Sequence, residues 1–362
     1  MKEWKKVKFE EILVIKKGEY ITKKEARVGI YPVILGGKEP AYFVDKYNHV
    51  GKAIVISRSG ASAGYVSFWN EPIFVTDGFL IEPKNDVTYE FLYYALKSKQ
   101  KLLHNVQQGA AIPHVTPRLI SDIDFTLPDN TIQHRIATIL SRYDSLIENY
   151  QKQIKLLEES AQRLYKEWFI DLRFPGHENT KIVDGLPEGW EKKKVGDLIS
   201  KIQRTKQVSA NNYQISGLYP VIDQSRNYIA GYTDESECVL NVTIPYIVFG
   251  DHTRVLKYVP FSFAKGADGT QLIMSNDLER MPQSLFYNSL IEIDLSNYSY
   301  ARHFKYLKEE SILVPSKDIA QRYNKVVSQY FQSIQKSRGQ IHHLTEARDR
   351  LLPKLMNGEI EV

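Results

Sequence analysis

An internal repeat constrains the fold of this 362-residue chain more than any other feature of its sequence. The stretch LPDNTIQHRIATILSRYD begins at Leu127, and VPSKDIAQRYNKVVSQYF begins 187 residues later at Val314, with Pro, Ile, Arg, Ser and Tyr in register. Three more pairs keep the same order: WKKVKFEEI with WEKKKVGDLI, YPVI with YPVI, and VTDGFLI with GADGTQLI. Because small changes of spacing are what loop insertions produce, the chain is predicted to contain one structural unit twice.

The first part of each copy, 1–127 and 190–313, has short runs of β-branched and aromatic residues between Gly, Pro, Asn and Asp. Runs such as AIVISRSGASAGYVSF and YIVFGDHTRVLKYVPF predict short strands joined by turns. The stretch TYEFLYYALKSKQKLLHNV predicts an embedded helix. The predicted fold class is therefore α+β, with two α/β domains related as a repeat.

The second part of each copy predicts a long helix. No Pro or Gly interrupts 132–168, and apolar residues recur there every seven positions, which is a coiled-coil pattern. A helix of that length extends roughly 55 Å. Asn130 and Asp318 are candidate N-caps. The heptad residues are Ile136, Tyr143, Tyr150, Leu157 and Leu164, with Ile139, Leu140, Leu146, Ile147, Ile154 and Ala161 between them, and then Tyr323, Tyr330, Ser337, Leu344 and Leu351, with Val326, Val327, Ile334 and Ile341 between them.

The equal lengths and phases of the two helices predict that they bury their apolar seams against each other, antiparallel, as a rod with a globular domain at each end. The alternative is that each helix packs on its own globular domain. The predicted domains are a first globular domain at 1–127, a central helix at 128–170, a linker at 171–189, a second globular domain at 190–313 and a C-terminal helix at 314–362.

Composition bounds the cellular setting. The only cysteine is Cys238, so the chain has no internal disulfide and no CxxC metal site, and a reducing compartment fits this usage. The start, MKEWKKVKFEE, lacks the apolar core of a signal peptide, and no run approaches the ~20 apolar residues of a membrane span. We expect a cytoplasmic protein with no membrane partner.

Motifs that would indicate catalysis are missing from the sequence. It contains no GxxxxGK[ST] phosphate loop, no HExxH, and no Asn/Asp-Pro-Pro-Tyr/Phe of the kind that holds an amino group for methylation. The Gly- and Ser-rich stretch SRSGASAG lacks the lysine of a phosphate loop, so we interpret it as a turn whose glycines permit positive φ. Adjacent helical residues such as His342 and His343 point to different faces and do not chelate one metal. We predict no catalytic residue and no metal site.

Basic and polar loops remain as candidate binding elements. The net charge of +5 is compatible with a polyanionic partner, and 1–30 carries nine Lys and Arg against five Asp and Glu. Their residue types are those that contact phosphates and read base edges, although simple solvated loops would have the same composition. The candidate DNA-binding residues are Lys16, Lys17, Tyr20, Thr22, Lys23, Arg58, Ser59, Ser62, Gln224, Arg226, His252, Thr253, Arg254 and Lys257.

These blocks, together with YARHFKYL and LYKEWFIDLRFPG, resemble one known family over nearly the whole chain: the specificity subunit of Type I restriction-modification enzymes. The resemblance implies two target-recognition domains, each reading one half of a split double-stranded DNA target. It also implies that the two helices set the gap between the halves and bind two methylation subunits.

The same resemblance implies that this subunit holds no cofactor and performs no chemistry. S-adenosylmethionine belongs to the methylation partner, and ATP with Mg²⁺ belongs to the nuclease partner, of which the complex takes up to two restriction subunits. Because the loops of the two domains differ, as SRSGASAG differs from GDHTRVLK, we predict an asymmetric target. Half-sites about one helical turn apart, roughly 34–36 Å, or further, fit such an arrangement.

Three other functions stay open from the sequence. A stand-alone DNA-binding protein predicts tight specific binding without partners. A DNA adenine methyltransferase predicts binding of S-adenosylmethionine by the isolated chain. A scaffold with protein-binding ends predicts that no complex containing this chain protects DNA.

Overall fold

The computed structural model of the protein describes residues 4–22, 26–35, 37, 39–105, 114–202, 205–298 and 302–362. The chain forms two compact units: 1–149 with 340–362, and 150–339. The unit boundaries fall inside the two long helices, so each helix contributes to both units. The domain boundaries predicted from the repeat stay a prediction, and below the names first and second globular domain denote 1–127 and 190–313.

The first copy contains nine strands and five helices among its described residues. Its strands are β1 (Lys5–Lys8), β2 (Leu13–Lys17), β3 (Val28–Ile34), β4 (Tyr42–Val44), β5 (Ala53–Ser57), β6 (Val66–Trp69), β7 (Phe74–Val75), β8 (Gly78–Pro83) and β9 (Asp124–Leu127). Its helices are α1 (Phe9–Ile12), α2 (Tyr89–Ser98), α3 (Gln100–Asn105), α4 (Pro117–Ser121) and α5 (Asn130–Tyr165), which continues into a π-helical turn at Lys166–Ile170.

The second copy repeats this order with small changes. Its strands are β10 (Ile182–Val183), β11 (Leu186–Pro187), β12 (Glu191–Lys194), β13 (Tyr219–Ile222), β14 (Gly231–Thr233), β15 (Val239–Leu240), β16 (Tyr246–Gly250), β17 (Leu256–Val259), β18 (Phe263–Lys265), β19 (Thr270–Ile273) and β20 (Ser311–Val314). Its helices are α6 (Gln283–Ile291), α7 (His303–Glu309) and α8 (Lys317–Met356). The predicted linker holds the hairpin β10–β11.

The strand pairing shows that the sequence repeat is a structural repeat. Both YPVI segments form a strand with one antiparallel and one parallel neighbour: β3 pairs with β4 and β7, and β13 pairs with β14 and β18. β1 pairs with β9 as β12 pairs with β20. The four-stranded sheet β2-β8-β5-β6 corresponds to β17-β16-β19, where an isolated bridge between Ile199 and Ser275 takes the place of β2.

In the first unit, the N-terminal part of α5 packs against the C-terminal part of α8. Ile136 and Leu140 share a buried core with Leu355 and with the globular-domain residue Phe91. The apolar face of α5 therefore packs both on α8 and on its own globular domain. The sequence had left these two kinds of packing open as alternatives, and both occur.

In the second unit, the C-terminal part of α5 packs against the N-terminal part of α8. The Tyr323 hydroxyl donates to the Ala161 carbonyl oxygen at 3.2 Å, and the Arg338 guanidinium lies 3.1 Å from a Glu158 carboxylate oxygen. The numbering rises along α8 as it falls along α5, so these segments are antiparallel. The predicted α+β class, with a repeated α/β domain and two long antiparallel helices, is confirmed.

Two details of the helix prediction are wrong. Asn130 and Asp318 lie within the first turns of α5 and α8 and are not N-caps. Asp129 caps α5 instead, since its carboxylate accepts from the backbone N–H of Ile132 at 3.0 Å, and Asp318 pairs with Arg322 one turn later at 2.9 Å. Leu146 is 46% exposed, because the neighbouring Ile147 takes the buried position of the heptad.

Within the part of the chain that the structure describes, we find no helix that combines the length and the apolar character needed to cross a bilayer.

Candidate nucleic-acid interface

In the second globular domain, the hairpin β16–β17 carries three of the candidate residues on its connecting loop. His252, Thr253 and Arg254 follow the end of β16 and are exposed. The loop is closed by a backbone hydrogen bond from the N–H of Arg254 to the carbonyl oxygen of Gly250 at 2.8 Å. Arg254 has φ +62°, one of the few left-handed residues other than glycine in the described chain. The hairpin thus projects polar side chains from a fixed turn.

Gln224 joins this loop to two others. Its side-chain N–H donates to the carbonyl oxygen of Asp268 at 2.9 Å, and its side-chain oxygen accepts from the backbone N–H of His252 at 3.1 Å. Its backbone carbonyl oxygen accepts from the Thr253 hydroxyl at 2.6 Å. Because both ends of its amide are engaged inside the domain, Gln224 positions the loops. Thr253 is engaged in the same way.

Lys257 requires a correction. Its side chain is only 3% exposed, and its ammonium donates to the carbonyl oxygens of Asp223 at 2.7 Å and Asn227 at 2.5 Å. Burial lowers the pKa of Lys257 to about 8, against the opposite effect of the Asp223 carboxylate 3.7 Å away. Lys257 holds the 223–227 loop in place and is not available to a phosphate. Arg226, in the middle of that loop, is exposed.

The sequence contained a signal for this burial. Alternation along β17 places Lys257 on the same face as Val259, which is fully buried, so a period of two assigns the lysine to the inner face of the strand. No sequence pattern indicates the hydrogen bonds of the Gln224 side chain, because its partners lie 28 and 44 residues away in the chain.

In the first globular domain, the turn between β5 and β6 holds Arg58, Ser59 and Ser62. The Ser59 hydroxyl donates to the Asp77 carboxylate, and the Arg58 guanidinium lies 3.8 Å from the same carboxylate. Gly60 and Gly64 have φ of +78° and +80°, as predicted for a glycine turn. Half of the Arg58 side chain remains exposed, so it can still meet an anion.

The candidates near the start of the chain lie at the same sheet edge as Arg58. β2 and β5 both pair with β8, so the end of β2 at Lys17 and the turn after Ser57 lie at the same end of this sheet, with β8 between them. Lys17 and Tyr20 are exposed, and Tyr20 is 86% accessible. Lys16 forms an ion pair with Glu82 at 2.7 Å across β2 and β8.

The two remaining candidates near the start of the chain, Thr22 and Lys23, contribute little to this exposed surface. Thr22 is half-buried, and its carbonyl oxygen accepts from the N–H of Ala26 at 3.0 Å. Lys23 lies outside the described residues.

A buried aspartate that sequence reasoning missed supports the second loop cluster. Asp251 directly follows β16, and its carboxylate accepts from the backbone N–H of Phe304 at 2.8 Å. Its carbonyl oxygen lies 2.9 Å from Nδ1 of His303, whose Nε2 lies 2.9 Å from the carbonyl oxygen of Tyr298. These contacts attach the block HFKYL at the start of α7 to the hairpin, so this block is structural support.

The assembled surface in each globular domain therefore combines rigid turns with exposed cations at one sheet edge. Lys17 and Arg58 provide them in the first domain, and Arg226 and Arg254 provide them in the second, beside the exposed side chain of His252. No group of three or more His, Cys, Asp and Glu side chains suited to a metal ion occurs among the described residues. The arrangement can bind an extended anion and present donors to it.

Comparisons with known proteins agree with this description. Residues 1–159 match the family model described as the Type I restriction modification DNA specificity domain. The MjaIX specificity subunit of Methanocaldococcus jannaschii is 29% identical over 342 residues, covering 86% of this chain and 78% of that protein. A putative type I specificity subunit of Mycoplasma genitalium is 24% identical over an alignment that covers 97% of this chain and 93% of that protein.

A solved structure shares the fold. The crystal structure of the type I restriction-modification S subunit from M. genitalium superposes with a TM-score of 0.60 at 20% identity, covering 98% of this chain and 96% of that one. The family model and the two relatives agree in what this chain is similar to, and the solved structure shows the same fold. Over most of its length the chain is similar to specificity subunits of Type I restriction-modification enzymes.

Proposed function

We propose that this chain confers DNA sequence specificity on a Type I restriction-modification complex, with each globular domain reading one half of a bipartite target. One observation carries this proposal: the two domains share their strand pairing, while the loops at the equivalent sheet edge differ in length, charge and internal bonding. A duplicated scaffold with divergent loops suits two different half-sites, so the target is expected to be asymmetric.

The proposed partners are double-stranded DNA, two methylation subunits and up to two restriction subunits. The repeated helices α5 and α8 offer two equivalent docking segments, which fits two identical partners bound by pseudo-twofold symmetry. The helices would also set the gap between half-sites. In this proposal the chain itself is not catalytic: S-adenosylmethionine acts in the methylation subunits, and ATP with Mg²⁺ acts in the restriction subunits.

The DNA-binding residues we propose for this role are a subset of the sequence candidates. Lys17, Tyr20, Arg58, Arg226, His252 and Arg254 are exposed at the two loop edges and form the contact set. Gln224, Thr253 and Lys257 belong to the supporting set, because their polar groups are engaged within the domain.

The test is a methylome. The chain is co-expressed with the methylation subunit of its own locus in a methylation-deficient host, and modified adenine is mapped by single-molecule sequencing. We expect a new split, asymmetric motif, and replacement of 190–313 by another recognition domain should change one half of it only. If both proteins are soluble and associated but no motif appears, the proposal fails. Specific binding by the chain alone would then support a stand-alone DNA-binding protein.

A further inference from the structure

The hairpins of the two globular domains place one residue in equivalent positions. Ser57 and Gly250 are the last residues of β5 and β16, and each accepts a hydrogen bond at its carbonyl oxygen from the residue that closes its loop. The donor is the N–H of Gly64 in the first domain and the N–H of Arg254 in the second, both at 2.8 Å. Gly64 and Arg254 therefore occupy the same place in the two hairpins.

Both residues adopt the left-handed backbone conformation, but only one of them does so without strain. Gly64 has φ +80° and no Cβ, whereas Arg254 has φ +62° with a Cβ that crowds the backbone. A glycine at position 254 would form this turn with less strain. A non-glycine residue held in a strained conformation motivates a functional hypothesis for its side chain.

The first globular domain cannot place a side chain at this point. A Cβ at Gly64 would lie 2.5 Å from the carbonyl oxygen of Leu103, on α3. The second domain presents a guanidinium where the first presents only backbone. This position is thus a large chemical difference between two edges that otherwise share their strand pairing.

The guanidinium of Arg254 is held in a fixed direction. One of its five N–H groups donates through Nη1 to the carbonyl oxygen of Leu295 at 3.1 Å, and the side chain is otherwise exposed. Its loop is fixed by the bonds from Gln224 and Thr253. Phosphate contacts need no such arrangement, since flexible surface cations supply them. A planar fork held in one direction suits bidentate contact with the O6 and N7 atoms of guanine.

On the basis of the proposed function, we infer that Arg254 is a specificity-determining residue that reads a guanine in the half-site of the second globular domain. The first domain has no counterpart, and its half-site is read by other groups. Gln224 is the positioning residue that keeps the Arg254 loop in place.

The experiment uses the chain in complex with its methylation subunit and compares wild type with Arg254→Gly, Arg254→Lys and the control Arg173→Gln. Arg173 is an arginine of the predicted linker whose side chain is 59% exposed and pairs with Asp171 at 2.8 Å. The readouts are the methylated motif, the affinity for targets with each base of the second half-site substituted, and the melting temperature.

We expect Arg254→Gly to melt at the same or a higher temperature and to lose discrimination at one guanine, by about ten- to a hundredfold, with the first half-site unchanged. Arg254→Lys should lose the same discrimination, because an ammonium cannot form the planar double contact. Arg173→Gln should leave the motif as in wild type.

Three results would overturn the inference while leaving the proposed function intact. An unchanged motif in Arg254→Gly would remove the role altogether. Full activity of Arg254→Lys, with a uniform loss across all sequences in Arg254→Gly, would mean a phosphate contact. A lower melting temperature with weakening at every position would mean that Arg254 is a structural link to Leu295. Absence of any motif with the wild-type complex would instead reject the proposed function.

Discussion

The two globular domains solve the same structural task with different chemistry. In each domain, the turn that follows the inner strand of the sheet is held against the residues that precede a neighbouring strand of that sheet. The inner strand is β5 in the first domain and β16 in the second, and the preceding residues are Asp77 before β8 and Asp268 before β19. The first domain uses a carboxylate, Asp77, which binds the Arg58 and Ser59 side chains. The second uses the neutral amide of Gln224. The pairing of the strands depends on buried backbone groups and tolerates few changes. The side chains that hold the turns in place can be exchanged, here a carboxylate for an amide, while the strand pairing stays the same.

The long helices show a similar contrast between the two units. At the repeat-equivalent positions 136 and 323, the first unit has an isoleucine in a mixed aliphatic and aromatic core, and the second has a tyrosine that itself contacts a cluster of aromatic rings. Tyr323 is fully buried, with Phe169 at 5.1 Å and Trp168 at 5.9 Å between ring centroids. The following predictions test how far such differences matter, beginning with the largest effect.

Replacing Tyr323 by alanine should lower the free energy of unfolding by about 3–5 kcal/mol, because it empties the centre of the aromatic cluster and removes the hydroxyl bond to Ala161. Ile136→Ala should cost less, about 2–4 kcal/mol, since a smaller side chain is lost. Tyr323→Phe isolates the hydroxyl and should cost about 0.5–1.5 kcal/mol. Denaturant unfolding of the three variants gives these values, and equal losses for Tyr323→Ala and Tyr323→Phe would contradict the packing argument.

Asp144→Ala should destabilise the first unit by about 2–4 kcal/mol, because it leaves the largely buried Arg348 guanidinium without its main partner and removes the acceptor of the Tyr94 hydroxyl. Asp349→Ala is the matched control: it also bonds Arg348, at 2.8 Å, but its carboxylate is 56% exposed and should contribute under about 1 kcal/mol. Thermal unfolding of both variants compares the two bonds. A loss as large for Asp349→Ala as for Asp144→Ala would show that burial is not the deciding factor.

The next prediction rests on the proposed function. It distinguishes a residue of the second globular domain that contacts DNA from one that only holds a loop in place. Arg226→Met should lower the slope of log affinity for DNA against log salt concentration by about 0.9, the value for one phosphate contact. Lys257→Met should weaken binding without changing that slope, because its buried ammonium holds the 223–227 loop and reaches no phosphate. Titrations of the complex from low to moderate salt measure both slopes. A slope change in Lys257→Met alone would reverse the assignment.

Much of this architecture was readable from local patterns. The two hairpins follow from β-branched and aromatic runs broken by glycine-containing turns, and both long helices follow from an apolar heptad repeat, which in α5 has no Pro or Gly and in α8 continues past Gly339 and Pro353. The repeat predicted equivalent strands, and β3 with β13 shows the same pairing. Residues whose role depends on distant partners were not readable. Gln224 was predicted to bind DNA and instead supports the loops, and no local pattern indicates the role of Asp251, because the bonds of both residues join segments far apart in the chain.

The smallest predicted effect compares the second unit's helix ion pair with that of the first. Burial raises the pKa of Glu158 more than Arg338 lowers it, although its side chain is 40% exposed. A carboxyl whose pKa is higher in the folded state favours folding at pH values below its unfolded pKa, and that contribution is lost as pH rises through the folded pKa.

Glu158→Gln should therefore cause no loss of stability at pH 7, and the wild type should gain on the variant as pH falls from 7 towards 4. Melting temperatures of both proteins across this range provide the measurement. Asp144→Asn, at the Asp144–Arg348 pair, which is less exposed on both sides, should instead destabilise the protein at pH 7. If Glu158→Gln instead destabilises at pH 7 as strongly as Asp144→Asn does, the two helix ion pairs are equivalent and the contrast between the units does not extend to their charges.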